Sequence, residues 1–200
     1  MSNSYRYLDL DNSYIDPTTG ILKNLQAITD PEVLIFVESS AVTKRLNELY
    51  ETPIKIIGIE SLFIIHQHLF QDIYVWAGQK RTVDISKDGK QFFPISNFDS
   101  ALSYIDQLIK EYNEIPKNDF AHLSEKLAEL LDSINYLHPF REGNGRAQRE
   151  FLRLLAKEKG LTLNLNPPDS KSVYERYMKG TIESDIQTLT ELIYALITQI

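Results

Sequence analysis

The stretch that decides the fold lies at residues 138–149, where the sequence reads His138-Pro139-Phe140-Arg141-Glu142-Gly143-Asn144-Gly145-Arg146-Ala147-Gln148-Arg149. An apolar helical pattern precedes this stretch and another follows it, which predicts a loop between two helices. The glycines at 143 and 145 allow a tight or left-handed backbone, so peptide N–H groups there can approach a ligand closely. The second helix, predicted to begin near Arg146, would point unpaired N–H groups at the same place, and such helix ends bind phosphate.

The charged side chains of this stretch suit a nucleotide. Arg146 and Arg149 can each donate paired hydrogen bonds to a phosphate. Glu142 beside an anion site is unfavourable unless a cation lies between its carboxylate and the phosphates, and Mg²⁺ prefers such oxygen ligands. His138 is the group of the stretch that can take up a proton near neutral pH. The residues alone therefore predict a nucleotide polyphosphate site with a built-in general base.

The same stretch resembles a known signature. It fits H-x-F-x-(D/E)-G-N-G-R-x-x-R, the pattern of Fic (filamentation induced by cAMP) domain proteins, at every defined position. The resemblance implies an all-α fold, a bundle of about eight helices with a short β-hairpin flap, in which the signature forms a loop between two core helices. It also implies protein adenylyltransferase activity, the transfer of AMP from ATP to a Ser, Thr or Tyr hydroxyl of a target protein, with release of pyrophosphate.

By position, the resemblance assigns the reactive groups. His138 would be the catalytic base that deprotonates the target hydroxyl. Glu142 would hold Mg²⁺, the implied cofactor, against the phosphates of ATP. Phe140 points into the core in the family, so we interpret it as an anchor of the loop.

The remaining signature positions would bind the nucleotide. Gly143 and Gly145 would present backbone N–H groups, and Asn144 would form hydrogen bonds to the phosphate chain. Arg146 would bind the β-phosphate and Arg149 the γ-phosphate.

Length and composition limit the class of protein. The 200 residues suffice for one domain with a real core. The net charge of −7 argues against general nucleic-acid binding, which needs a basic face. The absence of cysteine excludes disulfides and thiolate metal sites. Neither a signal peptide nor an apolar run of membrane-spanning length is visible, so we expect no membrane association and a cytoplasmic protein.

We interpret residues 1–200 as a single Fic domain, with an active-site loop at 138–149 and closing helices at 166–200. Residues 1–30 are polar and aromatic and predict an extended N-terminal arm, docked by Tyr5, Tyr7, Leu8 and Leu22. Apolar spacing and helix-end residues predict helices over residues 31–50, 59–75, 97–112, 119–136, 146–159, 170–179 and 184–200. Regular β structure is expected in the flap alone.

The flap is predicted at residues 82–95. Two β-prone arms there flank Lys87-Asp88-Gly89-Lys90, a pattern typical of a β-hairpin. The preceding Trp76-Ala77-Gly78-Gln79-Lys80-Arg81 is similar to the family's W-A-G-x-x-R. In the family the hairpin covers the active site and aligns the target by strand pairing, which assigns target binding to Asp84, Ile85, Ser86 and Lys87. The alternative is an ordinary surface hairpin.

Other polar residues have plainer interpretations. His66 and His68 stand at i and i+2 on one helix and point apart, so they cannot chelate one ion. We expect a packed, hydrogen-bonded His66 and an exposed His68. Arg153 and Lys157 are expected to be solvated helix charges.

Two other kinds of function remain open. Relatives within the fold transfer UMP, phosphocholine or phosphate instead of AMP, and the chain could also be a non-catalytic binding module. Retention of Gly145, Arg146 and Arg149 favours AMP transfer.

The sequence lacks an inhibitory motif that many Fic proteins carry. Many Fic proteins carry a brake, (S/T)-x-x-x-E-(G/N), whose Glu pairs with the second arginine of the signature. The only Glu followed by Gly or Asn here is Glu142 itself. The resemblance therefore implies a small separate inhibitor protein whose Glu meets Arg149, with this chain the toxin-like half of a toxin–antitoxin pair. Glu191 is the candidate for an internal brake.

Overall fold

Seven α-helices make up most of the part of the chain that the structure describes, which is residues 6–7, 13–87, 89–167 and 169–199. In this computed structural model the helices are α1 (Pro31–Glu51), α2 (Glu60–Phe70), α3 (Phe98–Glu114), α4 (Phe120–Leu137), α5 (Asn144–Glu158), α6 (Lys171–Glu183) and α7 (Ile186–Leu196). One turn of 3-10 helix, Ile95–Asn97, leads into α3. The predicted helical class is confirmed.

Helix starts follow the capping residues read from the sequence. Asp30 accepts hydrogen bonds from the N–H groups of Glu32 (2.9 Å) and Val33 (3.0 Å), and Pro31 occupies the first turn of α1. Such a cap satisfies N–H groups that have no partner inside the helix. Asp119 caps α4 in the same way, accepting from the N–H of His122. The predicted starts of both helices are confirmed to within one residue.

Helix α4 is the centre of the bundle. It packs against α3, α5, α6 and α7. Its leucines at 123, 127, 130 and 131 are fully buried, so one whole face of the helix is covered. Helix α5 packs on α2 as well as on α4, and the loop between α4 and α5 is therefore held between buried helices.

Helix α2 is shorter than predicted. The apolar spacing suggested a helix over 59–75, whereas α2 ends at Phe70 and tight turns follow, with the N–H of Ile73 bonded to the carbonyl of Phe70 (2.9 Å). Ile73 and Tyr74 remain buried, so the apolar pattern continues although the helix does not. Burial of these turns against the core produced the same periodicity as a helix.

Strands are more widespread than expected, so the prediction of β structure in the flap alone was wrong. Strand β1 (Arg6–Tyr7) lies beside β2 (Ile85–Lys87), which pairs with β3 (Lys90–Gln91), all antiparallel. Strand β4 (Leu161–Thr162) pairs with β5 (Thr198–Gln199), so the last predicted helix ends at Leu196. Ile200, the end of that predicted helix, lies outside the described residues.

The N-terminal arm is extended where it is described. Arg6 pairs with Ser86 and Tyr7 with Ile85. Further along, Ile15 and Leu22 form an isolated antiparallel bridge, and Leu22 packs against the core. Two of the predicted docking residues, Tyr5 and Leu8, lie outside the described residues.

The predicted hairpin is present, with Ser86 opposite Gln91 and Lys87 opposite Lys90. Its turn includes Gly89 at φ +81°, the left-handed backbone that a two-residue hairpin turn requires. Next to the turn, Lys90 Nζ donates a 2.6 Å hydrogen bond to the carbonyl of Ile182 in α6. The hairpin and α6 therefore meet across the region in front of the 138–149 loop.

Candidate active site

The loop between α4 and α5 is short and turns through left-handed backbone at both ends. His138 ends α4 with φ +45°, and Gly143 precedes α5 with φ +81°. A Cβ atom on Gly143 would lie 2.3 Å from Cζ of Phe70, so backbone conformation and space both require glycine there. The loop thus delivers the imidazole of residue 138 beside the N-terminus of α5.

Groups outside residues 138–143 form hydrogen bonds with the backbone of the loop. Asn144 accepts from the N–H of Phe140 (2.9 Å) and donates to the carbonyl of Phe140 (2.8 Å). Arg81 donates through Nε to the carbonyl of His138 (2.9 Å) and through its backbone N–H to the carbonyl of Pro139 (2.8 Å). Phe140 is fully buried, which confirms its predicted role as an anchor.

His66 holds the backbone of the active-site loop, a role that the sequence did not indicate. The N–H of Gly78 donates to its Nδ1 (2.9 Å), so Nε2 carries the ring proton and donates to the carbonyl of Glu142 (2.9 Å). The ring stacks on Phe140 with centroids 3.7 Å apart. Burial lowers the pKa of His66 to about 3, which keeps it neutral. The predicted packed, hydrogen-bonded histidine is confirmed.

His138 is positioned as a neutral base. Its Nδ1 donates to the carbonyl of Asn135 (3.0 Å), so in the neutral ring the lone pair lies on Nε2. The ring stacks on Phe92, which follows the hairpin, with centroids 3.7 Å apart. Burial lowers the pKa of His138 to about 3, and the nearby charges of Arg81 and Lys87 act in the same direction. The imidazole is therefore uncharged at neutral pH.

A cleft of about 630 Å³ opens in front of the loop. Its walls come from the hairpin, the C-terminal end of α4, the loop, the first turns of α5, and α6. Of the predicted site residues, the cleft is lined by Lys87, His138, Glu142, Gly143, Gly145, Arg146 and Arg149. A volume of this size is typical of small-molecule sites.

Arg149 projects into the cleft above two tyrosines. Its guanidinium lies 5.2 Å from the ring centre of Tyr177 and 5.5 Å from that of Tyr174. Within the described part of the chain, no carboxylate lies within ion-pair distance of Arg149. A Cβ atom on Gly145 would lie 3.2 Å from its Nη1, so the glycine leaves room for this guanidinium. Arg149 is therefore available to an anion.

Arg146 has a partner that the sequence did not indicate. Its Nη1 lies 2.6 Å from Oε1 of Glu38 on α1, and its guanidinium stacks over Phe70, 4.7 Å from the ring centre. Glu38 stands a hundred positions before the start of the signature, so no local spacing could reveal the pair. The side chain of Arg146 still lines the cleft.

Glu142 has the surroundings of a cation ligand that works with phosphates. Its Oε1 accepts from the N–H of Gly143 (2.9 Å) and lies 3.9 Å from Nη2 of Arg146, and the side chain is 32% exposed. Among the described residues no group of three or more His, Asp or Glu side chains could hold a metal ion alone. One accessible carboxylate fits Mg²⁺, which usually takes one or two protein carboxylates together with substrate phosphates.

Some predicted residues are placed differently from expectation. The side-chain amide of Asn144 is directed at Phe140 and does not line the cleft, so a phosphate contact from it stays a prediction. Arg153 is not solvated: it pairs with the buried Glu150 through Nε (2.7 Å) and stacks over Tyr50. His68 is half-buried and not exposed, with Nε2 3.2 Å from the carbonyl of Arg45.

The flap residues differ in their surroundings. Ile85 is buried and Lys87 lines the cleft. Asp84 accepts from the N–H of Ile95 (2.9 Å) and lies 3.3 Å from Nη1 of Arg81. Ser86 is the middle residue of β2, with β1 on one side and β3 on the other. Their role in target binding stays a prediction.

A second cleft, of about 370 Å³, lies between α1, α5 and residues 163–166. It shares Arg146 and Arg149, and no other lining residue, with the first cleft. The two guanidiniums therefore stand where the clefts meet. Glu191, the candidate for an internal brake, lies on the surface of α7, accepts a hydrogen bond from Gln187, and lines neither cleft.

Comparison with known proteins agrees with this geometry. Residues 56–156, which include α2, the hairpin, α4 and α5, match the profile of the Fic/DOC family. The chain belongs to the Fic/DOC family. No helix of the described residues has both the length and the apolar character needed to cross a membrane.

The relatives of this Fic chain include proteins of different length. The chain is 37% identical to the protein adenylyltransferase VbhT of Bartonella schoenbuchensis over 156 residues, covering 78% of this chain and 33% of VbhT. It is 32% identical to the probable protein adenylyltransferase Fic of Escherichia coli over 151 residues, covering 76% of this chain and 75% of that protein. The chain thus spans only a third of the Bartonella relative.

The fold is also that of solved Fic structures. The BepC protein of Bartonella tribocorum, crystallised with bound AMPPNP, superposes with a TM-score of 0.82 at 24% sequence identity. The match covers 94% of this chain and 98% of the BepC chain. At this identity the likeness establishes the fold, and it covers the helices and the hairpin together.

We predict that Gly143→Ala destabilises the protein more than Gly89→Ala does. Both glycines have φ +81°, so the backbone strain is matched, but a Cβ at 89 meets nothing within 4 Å whereas one at 143 strikes Phe70. Overpacking of this kind costs about 1–3 kcal/mol. Urea unfolding of both variants measures the difference, and equal stabilities would contradict a tight fit between the loop and α2.

Proposed function

We propose that this Fic chain is a protein adenylyltransferase that transfers AMP from ATP to a Ser, Thr or Tyr hydroxyl of a target protein. The observation that carries the proposal is the shared cleft wall of His138, the N-terminus of α5, Arg146 and Arg149. It combines a neutral base with an anion site. The names of the VbhT and Escherichia coli relatives, and the nucleotide bound to BepC, support the same activity.

The reaction balances as one substitution at phosphorus. The target hydroxyl gives its proton to Nε2 of His138, and its oxygen attacks the α-phosphorus of ATP. The bond from that phosphorus to the bridging oxygen of the β-phosphate breaks, and pyrophosphate leaves. Because the imidazole is fixed by Asn135 and Phe92, the base is already oriented before the target arrives.

The anion site stabilises the charge that develops on the leaving pyrophosphate. Arg146 and Arg149 supply guanidinium donors, and the first turn of α5 supplies the N–H group of Gly145, whereas the N–H of Gly143 is bonded to Glu142. Glu142 would hold Mg²⁺, which when bound neutralises phosphate charge. Preorganised donors of this kind provide most of the rate enhancement in phosphoryl and nucleotidyl transfer.

A different transferred group is the main alternative. UMP or phosphocholine transfer, or phosphorylation, would use the same base and cleft. Gly145 leaves room for the Arg149 guanidinium beside that of Arg146, and two guanidiniums in one cleft favour a nucleoside triphosphate as the donor. The mass added to a modified target distinguishes these groups, and the absence of any added mass would favour a binding module.

Strand β1 occupies the edge of the flap that a target strand would need. A target strand that pairs with residues 84–87 needs an edge of β2, but β2 lies between β1 and β3. We propose that the target displaces β1, since the two-residue pairing of β1 is short and β3 belongs to the hairpin itself. The arm would then cover an otherwise exposed strand edge in the absence of a target.

We also propose a separate inhibitor protein. Among the described residues no Glu forms an ion pair with Arg149, and the second cleft reaches Arg149 from the side of α1. One wall of that cleft is formed by Ser39, Val42, Leu46 and Tyr50, residues that follow one side of α1. An inhibitor helix lying there could direct a Glu at Arg149 and compete with the γ-phosphate.

The base assignment is tested by His138→Ala. We expect transfer to fall at least about a hundredfold, because general-base catalysis typically contributes that much or more. ATP affinity should remain within about threefold, since phosphate binding uses other groups. His122→Ala is the matched control, because His122 is an exposed histidine of the same bundle, paired with Asp119. Labelling with α-phosphate-tagged ATP and calorimetry give both quantities, and normal labelling by His138→Ala would refute the assignment.

The flap proposal is tested by deleting residues 1–12, which removes β1. Labelling of a protein target should rise up to about fivefold, since each backbone hydrogen bond contributes about 1 kcal/mol net. ATP affinity should not change, because the groups proposed to bind ATP lie in α5 and in the loop before it. An unchanged or lower labelling rate would mean that the target does not use the edge that β1 covers.

The inhibitor proposal is tested in the cells that make the chain. We expect the chain to co-purify with a small protein bearing the (S/T)-x-x-x-E-(G/N) pattern, and labelling to rise about tenfold or more when that protein is removed. Replacing its Glu by Gly should have the same effect as removal. A chain that is inactive alone and becomes active only after a piece of itself is removed would contradict the proposal.

A further inference from the structure

Glu38 contacts the anion site from outside the segment that defines the family. It lies on α1, before the matched residues 56–156, and belongs to no motif of the sequence. Its side chain is only 12% exposed, and both of its oxygens are engaged. Oε1 lies 2.6 Å from Nη1 of Arg146, and Oε2 accepts a hydrogen bond from the hydroxyl of Tyr74.

Tyr74 makes this carboxylate rigid. It is buried, and its ring stacks on Trp76 with centroids 4.2 Å apart. Burial, together with the adjacent Glu38 charge, raises the pKa of Tyr74, so its hydroxyl stays protonated and remains a donor. Glu38 is thus fixed by a group that has no other part in the site.

The fixed carboxylate determines where the Arg146 guanidinium lies. Glu38 lines neither described cleft, whereas Arg146 lines both. The carboxylate therefore binds the guanidinium from the side away from the clefts, and the other N–H donors of Arg146 remain for a ligand. Phe70 supports the guanidinium plane from a second direction, at 4.7 Å. An unsupported arginine has many rotamers, and ordering it on binding would cost free energy.

A simple ion pair between helices is the alternative, and the position of Glu38 argues against it. The other ion pairs of α1, from Arg45 to Glu48 and Asp72, lie away from both clefts and join exposed or half-buried groups. Of the ion pairs that the described residues of α1 form, the Glu38 pair is the one that joins an arginine of the signature. Orientation of a ligand-binding group by a fixed second residue is a general way of preorganising a site.

We propose that Glu38 is a positioning residue that holds the Arg146 guanidinium ready for the β-phosphate of the nucleotide. The inference rests on the proposed function in one respect, that Arg146 binds this phosphate. Glu38 acts by contact: its carboxylate spans from Tyr74 to Arg146 and fixes the direction of the donors. It touches neither the substrate nor the reacting atoms.

The test compares binding of ADP with binding of AMP, measured by calorimetry on the full chain. AMP lacks the β-phosphate, so it reports on folding and on the rest of the site. For Glu38→Ala and Glu38→Asp we expect ADP affinity to fall about tenfold, the scale of a hydrogen bond to a charged group, and AMP affinity to stay within about twofold. Asp keeps the charge but is one methylene too short to reach both partners.

Three further variants isolate the mechanism. Glu38→Gln keeps the reach of the side chain and should bind ADP within about threefold of the parent chain, because an amide oxygen can still accept from Arg146. In an Arg146→Ala background, Glu38→Ala should have no additional effect on ADP affinity, since its target is already absent. Glu48→Ala removes a different ion pair of α1 and should change neither affinity.

The outcomes separate this inference from the proposed function. Unchanged ADP affinity in Glu38→Ala, an equal loss of ADP and AMP affinity, or a Gln variant as weak as the Ala variant would each overturn the positioning role. Failure of the parent chain to bind either nucleotide would instead overturn the proposed function. A tenfold loss confined to ADP, restored by Gln and absent in the Arg146→Ala background, would support the inference.

Discussion

The structure depends on how a buried loop satisfies its backbone. Residues 138–143 turn between two packed helices, where their carbonyls cannot reach water and form no helix or sheet of their own. Side chains and N–H groups from elsewhere bind them instead: Arg81 binds the carbonyls of His138 and Pro139, Asn144 that of Phe140, and His66 that of Glu142. These bonds fix the loop to α2, to the start of the hairpin and to α5 at once.

The chemistry of the site follows from that fixation. Because the carbonyls of residues 138, 139, 140 and 142 are all held, the imidazole of His138 and the first turn of α5 keep one relative position without a ligand. The same burial that holds the loop keeps His138 neutral, which is the state a base needs. Arg81 contributes to both effects, since it binds the loop and its charge disfavours protonation of the imidazole. Structural and catalytic requirements are thus met by shared residues.

The sequence was sufficient for local features and insufficient for distant ones. Capping by Asp30 and the turn at Gly89 depend on neighbouring residues, so the helix start and the hairpin were predicted correctly. The end of α2 was missed because buried turns reproduce helical spacing. The pairing of Glu38 with Arg146, and of β4 with β5, joins segments far apart in the chain, and only the packed structure brings them together.

The two clefts meet at Arg146 and Arg149, so a ligand bound in one cleft would change the affinity of the other cleft for its own ligand. If an acidic ligand in the cleft beside α1 weakens nucleotide binding by some factor, the nucleotide must weaken that ligand by the same factor. The same N–H donors of a guanidinium cannot bind the ligands of both clefts at once. The concentration of nucleoside triphosphate in the cell would therefore set how much of the acidic ligand is needed to occupy its cleft. A fall in that concentration would by itself favour the inactive form, in which the acidic ligand is bound.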